Sequence, residues 1–149
     1  MDDSCEYSRR LLISLNQIDE LYYMFGKSSG VKENTLILLW ALDDGRPRTQ
    51  KQICDEWFLP KTTINTAVKE CANAGYITYI PGKNGREKLL ILTDKGKKYS
   101  EAVMAPIGDI EEAAMMRTLK QCSPEFIRGM ELYAQFLKEE GQKLLMQKD

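Results

Sequence analysis

The sequence predicts a mainly α-helical fold with one small β-hairpin. Over most of the chain, apolar residues recur at spacings of three and four, which is the period of an amphipathic helix. One short segment, residues 76–80, is instead rich in β-branched and aromatic residues, which favour a strand. A turn sequence with an Asn-Gly pair, residues 81–85, follows that segment directly and indicates a hairpin.

The composition is that of one compact domain or of a small module with added helices. Apolar residues make up 43% and charged residues 29% of the 149-residue chain, which excludes a disordered protein. No apolar run approaches the ~20 residues of a membrane span. The acidic start of the chain, Met1 to Ser4, is unlike a signal peptide. We therefore expect a soluble, cytoplasmic protein.

The residue types of most catalytic and metal sites are missing. There is no histidine, which excludes Ser-His-Asp and Cys-His mechanisms and His-ligated zinc. The four cysteines (Cys5, Cys54, Cys71 and Cys122) lie 49, 17 and 51 residues apart, so neither a C-x-x-C zinc motif nor a disulfide framework is expected. Because paired-carboxylate motifs and Gly-rich phosphate loops are also absent, the sequence predicts no enzyme, no cofactor and no metal.

Two helices are predicted before the centre of the chain. The first is long and ends at Gly26 or Gly30, and its apolar stripe consists of Leu11, Leu15, Ile18, Leu21 or Tyr22, and Phe25. The second contains Leu36, Leu39, Trp40 and the residues around them. It ends at Asp43-Asp44-Gly45, since glycine is the usual residue just past a helix end.

Two shorter helices joined by a tight turn follow. Thr49 and Gln52 have the spacing of a capping box, which starts the third helix. Pro60 ends that helix and suits the first turn of the fourth. The fourth helix ends near Gly75, and its inner apolar stripe consists of Ile64, Ala67, Val68 and Cys71. The hairpin comes next, with its return strand over residues 87–92.

Two further helices complete the prediction. Thr93 or Asp94 caps the fifth helix, which Pro106 should kink or break because proline cannot donate the helical hydrogen bond. Ser123 and Pro124 are a strong start signal for the last helix. The apolar stripe of that helix consists of Phe126, Met130, Tyr133, Leu137 and Leu144.

Basic residues are concentrated in the centre of the chain. The formal net charge is −1, yet residues 46–98 contain eleven basic and five acidic residues, an excess of +6 that leaves −7 for the rest. A basic centre between acidic arms is typical of a region that meets phosphate.

Two short helices joined by a tight turn, followed by a basic hairpin, predict a winged helix-turn-helix that binds double-stranded DNA. The polar face of the fourth helix carries short donors and cations that can reach base edges and phosphates. Arg86 in the hairpin suits insertion into a narrow minor groove. The candidate DNA-binding residues are Thr49, Gln50, Lys61, Thr62, Thr63, Asn65, Thr66, Lys69, Lys83, Arg86 and Lys88.

The chain resembles the multiple-antibiotic-resistance regulator (MarR) family of dimeric winged-helix transcription factors. The matching segments are Thr62-Thr63-Ile64-Asn65, Gly75-Tyr76-Ile77, Gly85-Arg86-Glu87-Lys88 and Leu92-Thr93-Asp94-Lys95-Gly96. Arg86 and Thr93 keep the seven-residue spacing of family wings. Asn84 and Gly85 stand where family wings commonly carry Asp and Arg, which predicts a wing with less ionic bracing.

The resemblance implies a homodimer made by the first helix and the last two. We accordingly expect a helical dimerisation region, residues 1–30 and 100–149, and a winged helix-turn-helix domain, residues 31–99. The apolar stripes at the two chain ends exceed what the winged domain alone can cover, although packing within one chain is the alternative. The candidate dimerisation residues are Leu11, Leu15, Ile18, Tyr22, Phe126, Met130, Tyr133 and Leu137. Such a dimer would bind a pseudo-palindromic operator.

The resemblance also implies a pocket for a small apolar or aromatic effector. Its candidate lining residues are Tyr22, Met24, Trp40, Met115 and Met116, because Met and aromatic side chains make adaptable apolar walls. We expect a repressor whose DNA binding such an effector modulates.

Three alternatives stay open. One is a winged helix that binds protein instead of DNA. Another is a regulator of a different winged-helix family, which would differ in its dimer helices. The third is a regulator that senses oxidants through Cys5, although its neighbours Asp2, Asp3 and Glu6 disfavour a reactive thiolate.

Overall fold

The computed structural model describes residues 3–146, which form six helices and one three-stranded antiparallel sheet. In chain order the elements are α1 (Asp3–Ser29), α2 (Glu33–Leu42), β1 (Arg48–Thr49), α3 (Gln50–Trp57), α4 (Lys61–Asn73), β2 (Ile77–Pro81), β3 (Lys88–Leu92), α5 (Asp94–Leu119) and α6 (Glu125–Met146). The predicted mainly α-helical fold with a small hairpin is confirmed. None of the described helices combines the length and apolar character that a membrane span requires.

The chain divides into two compact units, residues 1–105 and 106–149. The first contains α1 to the first part of α5, and the second contains the rest of α5 and α6. The expected division into a dimerisation region and a winged domain stays a prediction. The outermost residues of the expected dimerisation region, 1–2 and 147–149, lie outside the described residues. They include Asp2, one of the acidic neighbours expected to disfavour a reactive Cys5 thiolate.

The core of the first unit holds apolar side chains of α2, α3, α4 and the sheet. Its fully buried members include Leu38, Leu39, Leu42, Ile53, Ile64, Val68 and Leu90. The predicted inner stripe of α4 is buried along its whole length, with no member more than 3% exposed. This burial fixes which face of α4 points away from the core, and that face carries the polar residues.

The start of α3 is tied to the sheet. The Gln52 N–H donates to Thr49 Oγ1 at 3.0 Å and the Thr49 N–H donates to Gln52 Oε1 at 2.7 Å, so the predicted capping box is confirmed. Thr49 also lies in β1, opposite Leu89 of β3. The sequence did not predict β1, because two residues are too few to show the alternation of a strand.

A side-chain cap and a glycine mark the start of α5 and the end of α1, and the expectation for the middle of α5 is corrected. Thr93 Oγ1 accepts the Gly96 N–H at 3.0 Å, which confirms the predicted cap of α5. Gly30, with φ 67°, follows the last residue of α1. Pro106 does not break α5, which continues through it from Asp94 to Leu119, and the kink that the sequence gives as the alternative stays a prediction. A proline removes one backbone hydrogen bond, and the bonds of the flanking turns keep the helix intact.

Candidate nucleic-acid interface

The turn between α3 and α4 is short and closed by backbone hydrogen bonds. The Leu59 N–H donates to the Cys54 carbonyl at 3.0 Å, and Phe58 adopts left-handed angles with φ 51°. Pro60 directly precedes α4 and makes no side-chain hydrogen bond to its first turn. Two helices joined in this way form the helix-turn-helix that the sequence predicts.

The outward face of α4 is polar and basic. Lys61, Thr62, Thr66 and Lys69 are exposed, whereas Thr63 and Asn65 are half-buried. Neither lysine forms an ion pair within residues 3–146, and the first turn contains no acidic residue. The Thr66 hydroxyl donates to the Thr62 carbonyl at 3.3 Å and keeps its oxygen as an acceptor. The face therefore offers cations and short polar groups to a ligand.

The hairpin of β2 and β3 forms a compact wing. The Gly82 N–H donates to the Glu87 carbonyl at 2.8 Å, and Gly85 takes φ 66° at the tip, a conformation that favours glycine. The predicted wing cations, Lys83, Arg86 and Lys88, are all exposed. In the part of the chain that the structure describes, none of the three has an acidic partner, and Lys88 Nζ lies 5.8 Å from the Tyr79 ring centroid.

Some basic residues of the central segment are committed to the fold instead. Arg48 donates to both carboxylate oxygens of Asp44 at 2.7 Å and to the Ala41 carbonyl at 2.6 Å. Its Nε also lies 3.4 Å from Glu56 of α3, and only 17% of the side chain is exposed. Arg48 thus joins the end of α2 to α3 and does not contribute free charge. A charge count along the sequence could not separate this role from DNA binding.

The Asp44–Arg48 pair predicts how stability depends on pH. The hydrogen bond from Arg48, followed by that from the Arg46 N–H, holds the pKa of Asp44 well below its ordinary value. Because the folded-state pKa lies below the unfolded-state value, the contribution of the carboxylate is complete above about pH 4 and declines progressively as the pH falls from there through the folded-state pKa. We expect Asp44→Asn to lower the thermal midpoint at pH 7 and to lower it by less at pH 3.

Thermal unfolding at the two pH values measures this effect. Asp55→Asn is the control, because among residues 3–146 Asp55 pairs only with the exposed Lys51, at 2.7 Å, and such surface pairs contribute little. A midpoint that falls equally at pH 7 and pH 3 in Asp44→Asn would contradict the assignment.

The remaining predicted residues lie on α1, α2 and α5 and around the start of α3. Among the candidate effector residues, the structure brings together Tyr22 and Trp40, whose rings meet edge to face at 5.4 Å. Met24 on α1 and Met115 and Met116 on α5 are exposed, at 59%, 41% and 57%. Thr49 and Gln50, at the start of α3, are half-buried, and the Thr49 hydroxyl keeps its own hydrogen as a donor.

Residues 29–87 match the model of the MarR family. No curated protein matches the chain in sequence. Among solved structures, the fold is similar to NMB1585, a MarR family regulator from Neisseria meningitidis, with 24% identity, 100% of both chains covered and a TM-score of 0.71.

Two other solved structures also share the fold. Staphylococcus aureus MarR in complex with salicylate and kanamycin is 18% identical, with 94% of this chain and 93% of that chain covered and a TM-score of 0.63. Overoxidized AbfR bound to DNA is 20% identical, with 92% and 96% covered and a TM-score of 0.59.

Proposed function

We propose that this chain, which carries a MarR family winged helix at residues 29–87, is a sequence-specific regulator of transcription that binds double-stranded DNA as a homodimer. The predicted resemblance and the predicted winged fold are confirmed. The observation that carries the proposal is the division of α4 into a fully buried apolar stripe and an outward polar face with two lysines outside any described ion pair.

In this proposal α4 enters the major groove. The N-terminal residues of a recognition helix contact base edges, and Lys61, Thr62 and Asn65 occupy that part of α4. The half-buried Asn65 has the amide group that pairs with adenine, while Lys61 and Lys69 meet phosphates. The wing cations reach the adjacent minor groove or its phosphate backbone. AbfR, which has this fold, is known in a complex with DNA.

The homodimer is proposed because α1 and α6 leave apolar surface uncovered. Neither helix contains a buried residue among those described. Ile18 on α1 and Leu137 on α6 are 51% and 57% exposed, and Leu11, Leu15, Phe126, Met130 and Tyr133 are only half-buried. Large exposed apolar patches of this kind mark protein interfaces. A second copy would cover both faces and supply a second α4 for the next half-site.

We also propose that the protein is a repressor controlled by a small aromatic effector. Staphylococcus aureus MarR, which shares the fold, forms a complex with salicylate. In this chain the Tyr22–Trp40 ring pair and the exposed Met24 offer an aromatic and adaptable surface. We expect salicylate to quench Trp40 fluorescence in a Trp57→Phe variant and to weaken DNA binding. Unchanged emission and unchanged DNA affinity at saturating salicylate would remove salicylate as the effector.

Selection from a random-sequence DNA pool tests the proposed function. The purified protein should enrich a duplex with an inverted repeat, referred to below as the selected duplex. A pool that stays random after repeated rounds would contradict DNA binding and favour a winged helix that binds protein.

No catalytic role is proposed. Oxidant sensing through Cys5, which is exposed on α1, would instead appear as peroxide-dependent loss of the complex.

Arg86→Ala tests the wing. Removing this exposed cation should weaken binding to the selected duplex by about 1–2 kcal/mol and lower the salt dependence by about one unit for each lost phosphate contact. Fluorescence anisotropy at several salt concentrations measures both quantities. Lys120→Ala is the control, because it removes an exposed cation from outside the winged region. Unchanged affinity and slope in Arg86→Ala would show that the wing does not touch DNA.

A further inference from the structure

One face of the hairpin begins in the core and ends in solvent, and its exposed end carries Tyr79 and Lys88. Tyr79 pairs with Leu90 and Pro81 pairs with Lys88, so these four side chains share one face of the sheet. Leu90 is fully buried, which identifies this face as the core side. Because Tyr79 is 46% exposed and Lys88 is exposed as well, the face extends beyond the core toward the tip of the wing.

The polar groups of Tyr79 and Lys88 are available to a ligand. Lys88 Nζ lies 5.8 Å from the Tyr79 ring centroid, and the attraction between the ammonium and the ring holds it there. Among residues 3–146, Lys88 has no carboxylate partner and the Tyr79 hydroxyl forms no hydrogen bond. The pair therefore presents an ammonium and a phenol O–H side by side as hydrogen-bond donors.

The pair lies between the two elements that are proposed to enter DNA grooves. β2 is an edge strand of the sheet, and it contacts α4. If α4 docks in the major groove and the tip of the wing in the adjacent minor groove, a sugar-phosphate backbone runs between them. The side chains between α4 and the tip then face that backbone.

The depth of the minor groove supports the same placement. A strand rises about 3.3 Å per residue, so Tyr79 lies about 7 Å behind Pro81 at the end of β2. The minor groove is about 7.5 Å deep. A tip that reaches the floor of the groove would thus leave Tyr79 at its rim, where the phosphates lie.

A phosphate group has the chemistry that these two donors recognise. Lysine and tyrosine side chains both contact phosphate oxygens in protein–DNA complexes. We propose that the Tyr79 hydroxyl and the Lys88 ammonium together bind one backbone phosphate in each half-site. Such a contact positions the wing without reading a base. This inference rests on the proposed function, since it requires the chain to dock on duplex DNA, and it adds Tyr79 to the candidate DNA-binding residues.

Tyr79→Phe tests the hydroxyl, because it keeps the ring and the contact of the ring with Lys88. Binding to the selected duplex should weaken about five- to tenfold for each chain of the dimer, which is the worth of one hydrogen bond. The salt dependence should not change, because no charge is lost. Thr78→Val is the matched control, since it removes a hydroxyl from the neighbouring exposed residue on the opposite face of β2 and should bind as the wild type does. Fluorescence anisotropy at several salt concentrations measures both quantities.

A set of modified duplexes locates the contact. In each one a neutral methylphosphonate replaces the phosphate at the same position of both half-sites. The wild type should lose affinity at every phosphate that it contacts. At one of these positions Tyr79→Phe and Lys88→Gln should each lose less than the wild type, because that contact is already weakened, and elsewhere their losses should equal those of the wild type. Thermal unfolding should give Tyr79→Phe the wild-type midpoint.

Several results would overturn the inference. Wild-type affinity in Tyr79→Phe would show that the ring and Lys88 only brace the wing. Methylphosphonate losses in Tyr79→Phe that equal those of the wild type at every position would exclude a phosphate contact. A changed base preference of Tyr79→Phe in a repeated selection would assign the hydroxyl to a base edge instead. Failure of the proposed function is recognised separately, because the wild type would then enrich no duplex, and the inference would fall with it.

Discussion

Replacing Gly96 with alanine should strongly destabilise the winged region. A Cβ at Gly96 would overlap the carbonyl oxygen of Tyr76, and the overlapped atoms are backbone, so no side-chain rotation relieves the clash. The Tyr76 carbonyl also accepts the Thr93 N–H at 3.0 Å, so it cannot retreat without losing the bond that joins β2 to the start of α5. We expect the free energy of unfolding to fall by about 3 kcal/mol or more.

Urea or thermal unfolding measures this loss. Gly108→Ala is the matched control, because Gly108 lies in the same helix and an added Cβ there would meet no atom within 4 Å. That control should be neutral or should stabilise the protein by up to about 1 kcal/mol, as alanine favours helix. A Gly96→Ala protein with the wild-type midpoint would contradict the packing described for Tyr76.

Replacing Leu137 with glutamate should separate the proposed dimer and abolish tight DNA binding. Leu137 is 57% exposed on α6, so the change does not disturb a buried core within the chain. In a dimer the same side chain would be covered, and an unpaired carboxylate buried there is unfavourable. Because a single chain keeps only half of the phosphate contacts, affinity for the selected duplex should fall roughly a hundredfold or more.

Sedimentation velocity measures whether Leu137→Glu is still a dimer, and anisotropy titration measures its affinity for the selected duplex. Gln142→Glu is the control, because it adds the same charge to an exposed position of the same helix and should leave the dimer intact. If Leu137→Glu stays dimeric with unchanged affinity, α6 does not form the interface.

Local chemistry explains why much of the fold was predictable. The capping box of Thr49 and Gln52 and the cap at Thr93 depend on residues three apart in sequence, and both are present. The inner stripe of α4 depends on helical periodicity alone, and Ile64 and Val68 are fully buried. Features that need only neighbouring residues can be recognised in the sequence because the backbone geometry of a helix is fixed.

Features that depend on distant residues could not be predicted. Arg48 is one of the eleven basic residues counted in the centre of the chain. In the fold it pairs with the carboxylates of Asp44 and Glu56, so its charge is not free to meet a ligand. Gly96 matched a sequence motif, yet the reason for glycine is the Tyr76 backbone, twenty residues earlier. The left-handed backbone of Phe58 gave no local signal, because a positive φ cannot be read from the residue type.

A salt titration of the wild-type protein on the selected duplex tests the central claim that paired copies of α4 dock on DNA. We expect saturation at two chains per duplex. We also expect a dissociation constant that rises steeply with salt, with a log–log slope of roughly five or more because several lysines and arginines displace counterions. Binding of a single chain, or an affinity for duplex DNA that does not change with salt, would contradict it.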